Sequence, residues 1–136
     1  MVSFLASGVP SAYRDRDRVR KWLFAVAKDH GHSIGELNYV LMSDKDLLAY
    51  NRDFLQHDEF TDVITFDGQT GTGVSGDVLM SLDRIKDNAA TFGVSTQQEL
   101  RRVMVHGLLH LLGHSDKSVA KRKAMSAMED KYLARF

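Results

Sequence analysis

The run from His106 to Asp116, HGLLHLLGHSD, constrains this chain more than any other feature of its sequence. Its first two histidines, His106 and His110, stand at positions i and i+4, which lie on the same face of an α-helix. Both imidazoles can therefore reach one metal ion without distorting the backbone. Gly113 readily takes the left-handed conformation that ends a helix. The run predicts a helix that ends at Gly113 and a metal site shared between this helix and the turn after it.

The third ligand has to come from just beyond that turn. If the helix continued, the Cα atoms of His106 and His114 would be about 12 Å apart, at about 1.5 Å per residue. That separation is too large for two metal bonds of about 2.0 Å each. After a break in the helix, either His114 or Asp116 can complete the site, because zinc accepts imidazole and carboxylate ligands. Three protein ligands are typical of a catalytic Zn²⁺, so we expect one ion per chain.

The residue after the first histidine argues against one class of zinc enzyme. In the zinc-peptidase motif H-E-x-x-H, the glutamate serves as general base. This chain has Gly107 at that position, so a small metallopeptidase is the least favoured hypothesis. The leucines of the run are expected to anchor the helix in the core, at Leu108, Leu109, Leu111 and Leu112.

The whole run resembles the motif of the YbeY family, H-G-x-L-H-L-x-G-Y-D-H. It matches this motif at His106, Gly107, Leu109, His110, Leu111 and Gly113. In this register the family's third ligand falls on Asp116, where aspartate replaces histidine, and His114 falls on the motif tyrosine. The resemblance therefore favours Asp116 as the third ligand, with His114 as the alternative.

The resemblance extends beyond the histidine run. Residues 51–66, NRDFLQHDEFTDVITF, are similar to the family segment N-x-x-Y-R-x-K-D-x-P-T-D-V-L-S-F. Residues 76–78 are similar to its G-D-I strand, and residues 125–129 to its M-E-x-L-E segment. The family's arginine and lysine are replaced by Leu55 and His57, which removes a bidentate guanidinium donor for phosphate.

The resemblance implies a metal-dependent endoribonuclease specific for single-stranded RNA. It implies a role in ribosomal RNA maturation, including 3′ end processing of the small-subunit rRNA, and in ribosome quality control. Zn²⁺ on His106, His110 and Asp116 would lower the pKa of a bound water toward about 7 and activate it against a phosphodiester. His57 and His114 are the candidates to protonate the leaving oxygen.

An alternative function is a non-catalytic ribosome-assembly or RNA-binding factor that uses the metal to hold its fold. The missing arginine and the net charge of zero favour this alternative, because dedicated RNA binders usually carry an excess of basic residues. In either case the expected partners are single-stranded ribosomal RNA and the ribosome or its proteins. Arg101 and Arg102, which precede the histidines, are candidates to contact the RNA backbone.

Three acidic or hydroxyl residues outside the run are further candidates. Asp77 follows a glycine on a predicted strand and is a candidate to orient a metal-bound histidine. An acid on an edge strand that faces solvent is the alternative for Asp77. Thr61 and Asp62 are candidates to orient the substrate, and ordinary turn residues are the alternative for this pair.

The pattern of the chain predicts an α+β fold. Helices are expected near 13–30, 43–51, 81–93, 95–112 and 118–136, and strands near 37–42, 62–66 and 74–80. A capping box at Ser95 and Gln98 begins the histidine helix, and a glycine-rich turn at 67–73 joins two of the strands. We expect a mixed sheet of about four strands packed by helices, with the metal site on a central helix and the following turn.

Composition is that of one small globular domain over residues 1–136. The chain is 43% hydrophobic and 26% charged, which are ordinary fractions for such a domain. It contains no cysteine, so disulfides and cysteine-ligated zinc are excluded. No apolar run approaches the roughly 20 residues of a membrane span, and the first residues lack the features of a secretory signal. We expect a cytoplasmic monomer without a membrane partner.

Overall fold

The computed structural model describes residues 1–55, 61–68 and 73–136. Along the chain the elements are β1 (Val2–Ala6), α1 (Arg16–Asp29), β2 (Ile34–Met42), α2 (Asp44–Leu55), β3 (Val63–Asp67), β4 (Val74–Ser81), α3 (Leu82–Phe92), α4 (Thr96–Leu111) and α5 (Val119–Leu133). The α+β fold predicted from the sequence is confirmed. Within the described ranges, no helix combines the length and the apolar character needed to cross a bilayer.

The four strands form one mixed sheet in the order β1-β2-β4-β3. β1, β2 and β4 run parallel to one another, and β3 is antiparallel to β4. The antiparallel pairing of β3 and β4 is compatible with the predicted glycine-rich turn at 67–73, of which residues 69–72 lie outside the described residues. β1 was not predicted, because its identity as a strand depends on pairing with β2 more than thirty residues further along the chain.

Helix α4 is the central helix, lying against one face of the sheet. The Tyr39 hydroxyl of β2 donates to the Met104 carbonyl of α4 over 2.9 Å. A Cβ atom at Gly107 would come within 2.6 Å of Val78 Cγ1 on β4, so glycine permits the close approach of helix and strand. Gly107, which separates this chain from the zinc peptidases, thus has a packing reason to be glycine.

The two faces of the sheet have different coverings. On the α4 side, residues of α1, α4 and α5 pack with the inward side chains of β2 and β4 in the larger hydrophobic core. On the other side, α2 contributes Leu47 to a small cluster with Met42, Ile64 and Leu79. Because strand side chains alternate between faces, each residue of β4 belongs to one side or the other. This alternation decides which strand residues can reach the metal ligands on α4.

Both ends of α4 are capped locally. The Ser95 hydroxyl accepts from the Gln98 backbone amide over 3.1 Å, which is one of the two hydrogen bonds of the predicted capping box. At the other end Gly113 adopts φ 103°, and its amide donates to the His110 carbonyl. The His114 amide donates to the Leu109 carbonyl, which completes a Schellman motif. The helix therefore ends where the sequence predicted, and the chain turns back toward the two histidines.

Candidate metal centre

Three side chains from α4 and the following turn converge on one point. The Nε2 atoms of His106 and His110 are 2.9 Å apart. Asp116 Oδ2 lies 3.6 Å from the first nitrogen and 3.3 Å from the second. A tetrahedral ion with bonds of about 2.0–2.2 Å holds its ligand atoms about 3.3–3.6 Å apart. The three residues therefore form a group of suitable size and chemistry to hold one metal ion.

Hydrogen bonds at the far nitrogens determine which ring atoms face this point. His106 Nδ1 donates to Glu129 Oε2 over 2.6 Å, and His110 Nδ1 donates to the His114 carbonyl over 3.0 Å. A neutral imidazole carries a single N–H, so both Nε2 atoms present lone pairs. Two lone pairs and a carboxylate oxygen at these distances repel one another unless a cation lies between them. The donor set thus fits a divalent ion, with the ring orientations set in the manner typical of metal sites.

Glu129 links His106, the first candidate ligand, to a partly buried ion pair with Arg102. This residue lies on α5, and only 6% of its surface is exposed. Its Oε1 atom accepts from Arg102 Nη1 over 3.0 Å, while Arg102 Nη2 reaches Asp130 Oδ1 at 2.6 Å. Burial alone would lower the pKa of His106, but the hydrogen bond and charge of Glu129 outweigh it and raise that pKa. Arg102 therefore fixes the position of the Glu129 carboxylate, and this carboxylate in turn orients His106.

A cleft of about 580 Å³ opens beside the ligands. Its lining residues come from α3, α4, α5 and the segments near them, and are Asp62, Asn88, Phe92, Val94, Gln98, Glu99, Arg102, Val103, His106, Asp116, Arg122, Met125, Ser126 and Glu129. The cleft brings two residues of the metal group, His106 and Asp116, to one space with further carboxylates, two amides, two arginines and an aromatic ring. Its volume is within the range of small-ligand sites.

The inner wall of the cleft is acidic. Burial raises the pKa of Asp62, although the nearby charge of His106 opposes this effect. Burial also raises the pKa of Glu99 to about 6, against the opposing charge of Arg102. Together with Asp116 and Glu129, these carboxylates give the wall a negative potential that favours a cation.

The chain resembles known proteins both in sequence and in structure. Residues 10–136 match the family model described as Endoribonuclease YbeY. The chain belongs to the YbeY family. A YbeY relative from Cytophaga hutchinsonii, named Endoribonuclease YbeY, is 48% identical over 122 residues, covering 89% of this chain and 85% of its own. A relative of the same name from Bacteroides thetaiotaomicron is 41% identical over 133 residues, covering 98% and 97%.

A solved structure shares the fold of this YbeY chain. The solution structure of TM1509 from Thermotoga maritima superimposes with a TM-score of 0.67 at 27% identity. The match covers 98% of this chain and 87% of the other. The family resemblance inferred from the histidine run is thereby confirmed, and Asp116 stands at the position of the third histidine in the YbeY motif.

His114, the alternative third ligand, does not join the group. Its Nε2 atom is 2.8 Å from His30 Nε2, and the two rings meet edge to face. His30 Nδ1 in turn donates to the Val26 carbonyl of α1 over 2.8 Å. The main-chain carbonyl of His114 nevertheless helps to orient His110, because it accepts a hydrogen bond from His110 Nδ1. His57, the other sequence-based candidate for a proton donor, lies outside the described residues.

The members of two sequence-adjacent pairs, Arg101 with Arg102 and Thr61 with Asp62, have different surroundings in the structure. The Arg101 guanidinium lies 4.3 Å from the ring centre of Phe136, away from the cleft, whereas Arg102 lines the cleft but is held by Glu129 and Asp130. Asp62 lines the cleft. Thr61 does not line the cleft, and its hydroxyl donates to the Val63 carbonyl over 3.4 Å.

Asp77 lies on the opposite face of the sheet from the metal group. Its carboxylate accepts from Asn38 Nδ2 over 3.0 Å on the α2 side. The neighbouring Val78 is the residue that points toward α4. Alternation along β4 therefore places Asp77 away from the histidines it was expected to orient, on a central strand and not on an edge.

Sequence reasoning missed Glu99 and the role of Glu129. Glu99, Arg102, His106 and His110 are spaced by three, four and four residues, which places them along one face of α4. The spacing of this polar row could have indicated that Glu99 lies on the same face as the histidines. Glu129 was noted only as part of a matching segment, because nothing local reveals that its carboxylate faces His106.

Proposed function

We propose that this chain is a zinc-dependent endoribonuclease that cuts single-stranded ribosomal RNA. The proposal includes 3′ end maturation of the small-subunit rRNA, ribosome quality control, association with the ribosome or its proteins, and a monomeric protein of one domain over residues 1–136. The observation that carries it is the convergence of two Nε2 lone pairs with the Asp116 carboxylate beside an open cleft. Membership of a family named for endoribonuclease activity supports the reaction class.

The ligand residues account for the use of a metal. His106, His110 and Asp116 would hold the ion, and the acidic wall would balance its charge. When bound, the ion supplies Lewis acidity and lowers the pKa of water next to the phosphodiester. Histidine and carboxylate donors in a set of three are the ligands typical of catalytic zinc, which is why we propose Zn²⁺.

The surrounding residues orient the site and handle protons. Glu129 accepts a hydrogen bond from Nδ1 of His106, and the ion pair with Arg102 keeps Glu129 in place. The Glu99 carboxyl is a candidate to hold a proton near neutral pH, since its pKa of about 6 is close to the pH at which acid–base catalysis is most effective. His57 and His114 remain the sequence-based candidates for protonating the leaving oxygen.

The test is RNA cleavage by purified protein with bound metal quantified in each sample. Wild type, a chelator-treated sample and His110→Ala are compared, with His32→Ala as the matched control. His32 is an exposed histidine outside the ligand group. We expect metal and cleavage of single-stranded RNA to disappear together in His110→Ala and to stay unchanged in His32→Ala.

Two results would count against the proposal. Cleavage that survives in metal-free His110→Ala would show that the activity does not depend on this site. Full metal occupancy in wild type with no cleavage of any single-stranded RNA would favour the non-catalytic assembly factor. Leu55, which stands where the family has arginine, would then be the first residue to examine by Leu55→Arg.

A further inference from the structure

The outer half of the cleft differs from its acidic inner wall. It is formed by the C-terminal half of α3, the first turn of α4 and the first turns of α5. These elements contribute an aromatic ring, two amides and a guanidinium. This combination is the one by which proteins hold an unstacked base together with its backbone.

Phe92 is the aromatic residue of this outer half. It ends α3 and lines the cleft, yet 66% of its surface is exposed. It makes no ring–ring contact with another residue of the ranges that the structure describes. Its ring therefore offers an exposed face inside the cleft, where a flat group can stack on it.

Two side-chain amides stand near this ring. Asn88 precedes Phe92 by one helical turn and lies on the same side of α3, and Gln98 lies in the first turn of α4. Both side chains line the cleft. Within the described ranges neither side-chain amide makes a hydrogen bond, and Gln98 bonds to Ser95 only through its backbone amide. An amide carries both donors and acceptors, as the edge of a nucleobase does.

Arg122 supplies the positive charge. Of the described arginines lining the cleft, Arg102 is occupied by Glu129 and Asp130. Arg122 is exposed, and among the residues that the structure describes its guanidinium makes a single hydrogen bond, from Nη1 to the Asp116 carbonyl at 3.5 Å. A guanidinium in this position can bind phosphate next to the ligand residues. Arg122 therefore supplies a guanidinium, the group that is missing at Leu55, where the family motif has arginine.

We propose that this outer half is a nucleotide subsite for single-stranded RNA. One unstacked base lies on the Phe92 ring, Asn88 and Gln98 hydrogen-bond to its edge, and Arg122 holds the adjoining phosphate beside the metal ligands. This proposal rests on the proposed function, because it describes how the same cleft binds the RNA that the endoribonuclease would cut. The preference for single strands follows, since a base within a duplex has no free face to stack.

The experiment measures binding of a short fluorescein-labelled oligoadenylate RNA by anisotropy, with chelator present to prevent cleavage. A second probe has the same ribose-phosphate backbone with abasic positions. The variants are Phe92→Ala, Phe92→Trp and Arg122→Ala. Phe54→Ala and Lys45→Ala are the matched controls, because Phe54 is 63% exposed and both residues lie on α2, across the sheet from the cleft.

We expect Phe92→Ala to weaken binding of oligoadenylate about tenfold, as loss of one stacked base does. The tryptophan variant should restore it, and binding of the abasic probe should not change. Arg122→Ala should weaken both probes and reduce the slope of log affinity against log salt by about 0.7, the value for one phosphate contact to a single strand. Thermal melting of each variant verifies that it is folded.

The proposal is overturned if Phe92→Ala and Arg122→Ala bind like their controls, or if wild type does not distinguish the two probes. Cleavage by zinc-loaded wild type, measured in parallel, separates this result from a failure of the proposed function. Metal-dependent cleavage with binding independent of Phe92 leaves the endoribonuclease proposal standing and removes the subsite. Binding that depends on Phe92, without cleavage, supports the subsite and favours the assembly-factor alternative.

Discussion

His106 of α4 donates its Nδ1 proton to Glu129 of α5 over 2.6 Å, with only 6% of the glutamate surface exposed. Charge-assisted hydrogen bonds of this length are among the strongest in proteins. The bond joins two helices and sets the tautomer of His106, the first candidate metal ligand. We therefore expect this α5 residue to affect how tightly the candidate ligands hold an ion.

Glu129→Gln should weaken zinc binding by about tenfold or more, since removing the partner of a metal-bound histidine typically costs 10–100-fold in affinity. The neutral amide no longer raises the basicity of His106. Competition with a chromogenic chelator measures the affinity. Asp130→Asn is the control, because Asp130 also binds Arg102 but is not bonded to His106. Equal affinities in wild type and Glu129→Gln would contradict the role given to Glu129.

Gly113→Ala should lower stability by about 1–2 kcal/mol, because an alanine Cβ is disfavoured at positive φ. Gly93→Ala is a matched control, since Gly93 also follows a helix at positive φ, and neither glycine has an atom within 4 Å of a built Cβ. We expect both variants to lose stability in chemical denaturation. Only Gly113→Ala should also lose zinc affinity, because its turn positions Asp116. Unchanged zinc affinity would show that the turn tolerates distortion.

Gly107→Ala should destabilise the fold by about 1–3 kcal/mol through overpacking. The added Cβ meets the branched, buried Val78 side chain, which has little freedom to move aside. Val78→Ala should relieve that clash, so the double variant should be more stable than the sum of the single changes predicts. Denaturant titration of the full double-mutant cycle measures this coupling. If the two changes in unfolding free energy are simply additive, the added Cβ does not clash with Val78, and α4 and β4 move apart easily at this point.

Glu99→Gln should stabilise the metal-free protein at neutral pH. Burial raises the folded-state pKa of Glu99 from 4.5 to about 6, so ionisation is harder in the folded chain than in the unfolded one. The resulting cost is absent below pH 4.5, grows up to pH 6 and is complete above it, at about 1–2 kcal/mol. Melting temperatures of the variant and wild type should therefore differ at pH 7.5 and converge near pH 4.5. A constant difference at all pH values would contradict this origin.

Local patterns were sufficient for the elements that carry the ligands. The spacing of His106 and His110 predicted the helix, and Gly113 predicted its end, because both depend on backbone rules acting within a few residues. The family motif selected Asp116 over His114. Strand β1 was not predicted, since five residues without a turn signal acquire their strand character from the partner strand.

Side-chain directions were harder to predict than elements. Asp77 was expected near the histidines, but the two-residue alternation of β4 faces it toward α2. Arg101 and Arg102 are adjacent in sequence, yet one stacks on Phe136 and the other bonds Glu129. Neighbouring helix residues point about 100° apart, so adjacency in sequence does not give a shared environment.

The sequence by itself predicted the candidate ligands His106, His110 and Asp116, the helix end and the family, because these depend on short spacings, residue types and the family motif. Only the tertiary structure decided three contacts: Glu129 accepts a hydrogen bond from His106, Arg102 forms an ion pair with Glu129, and the His114 ring contacts His30. These three contacts join residues that are 23, 27 and 84 positions apart in the sequence. Such pairs meet only when hydrophobic burial brings the helices together, and the packing angle then selects which polar atoms face each other.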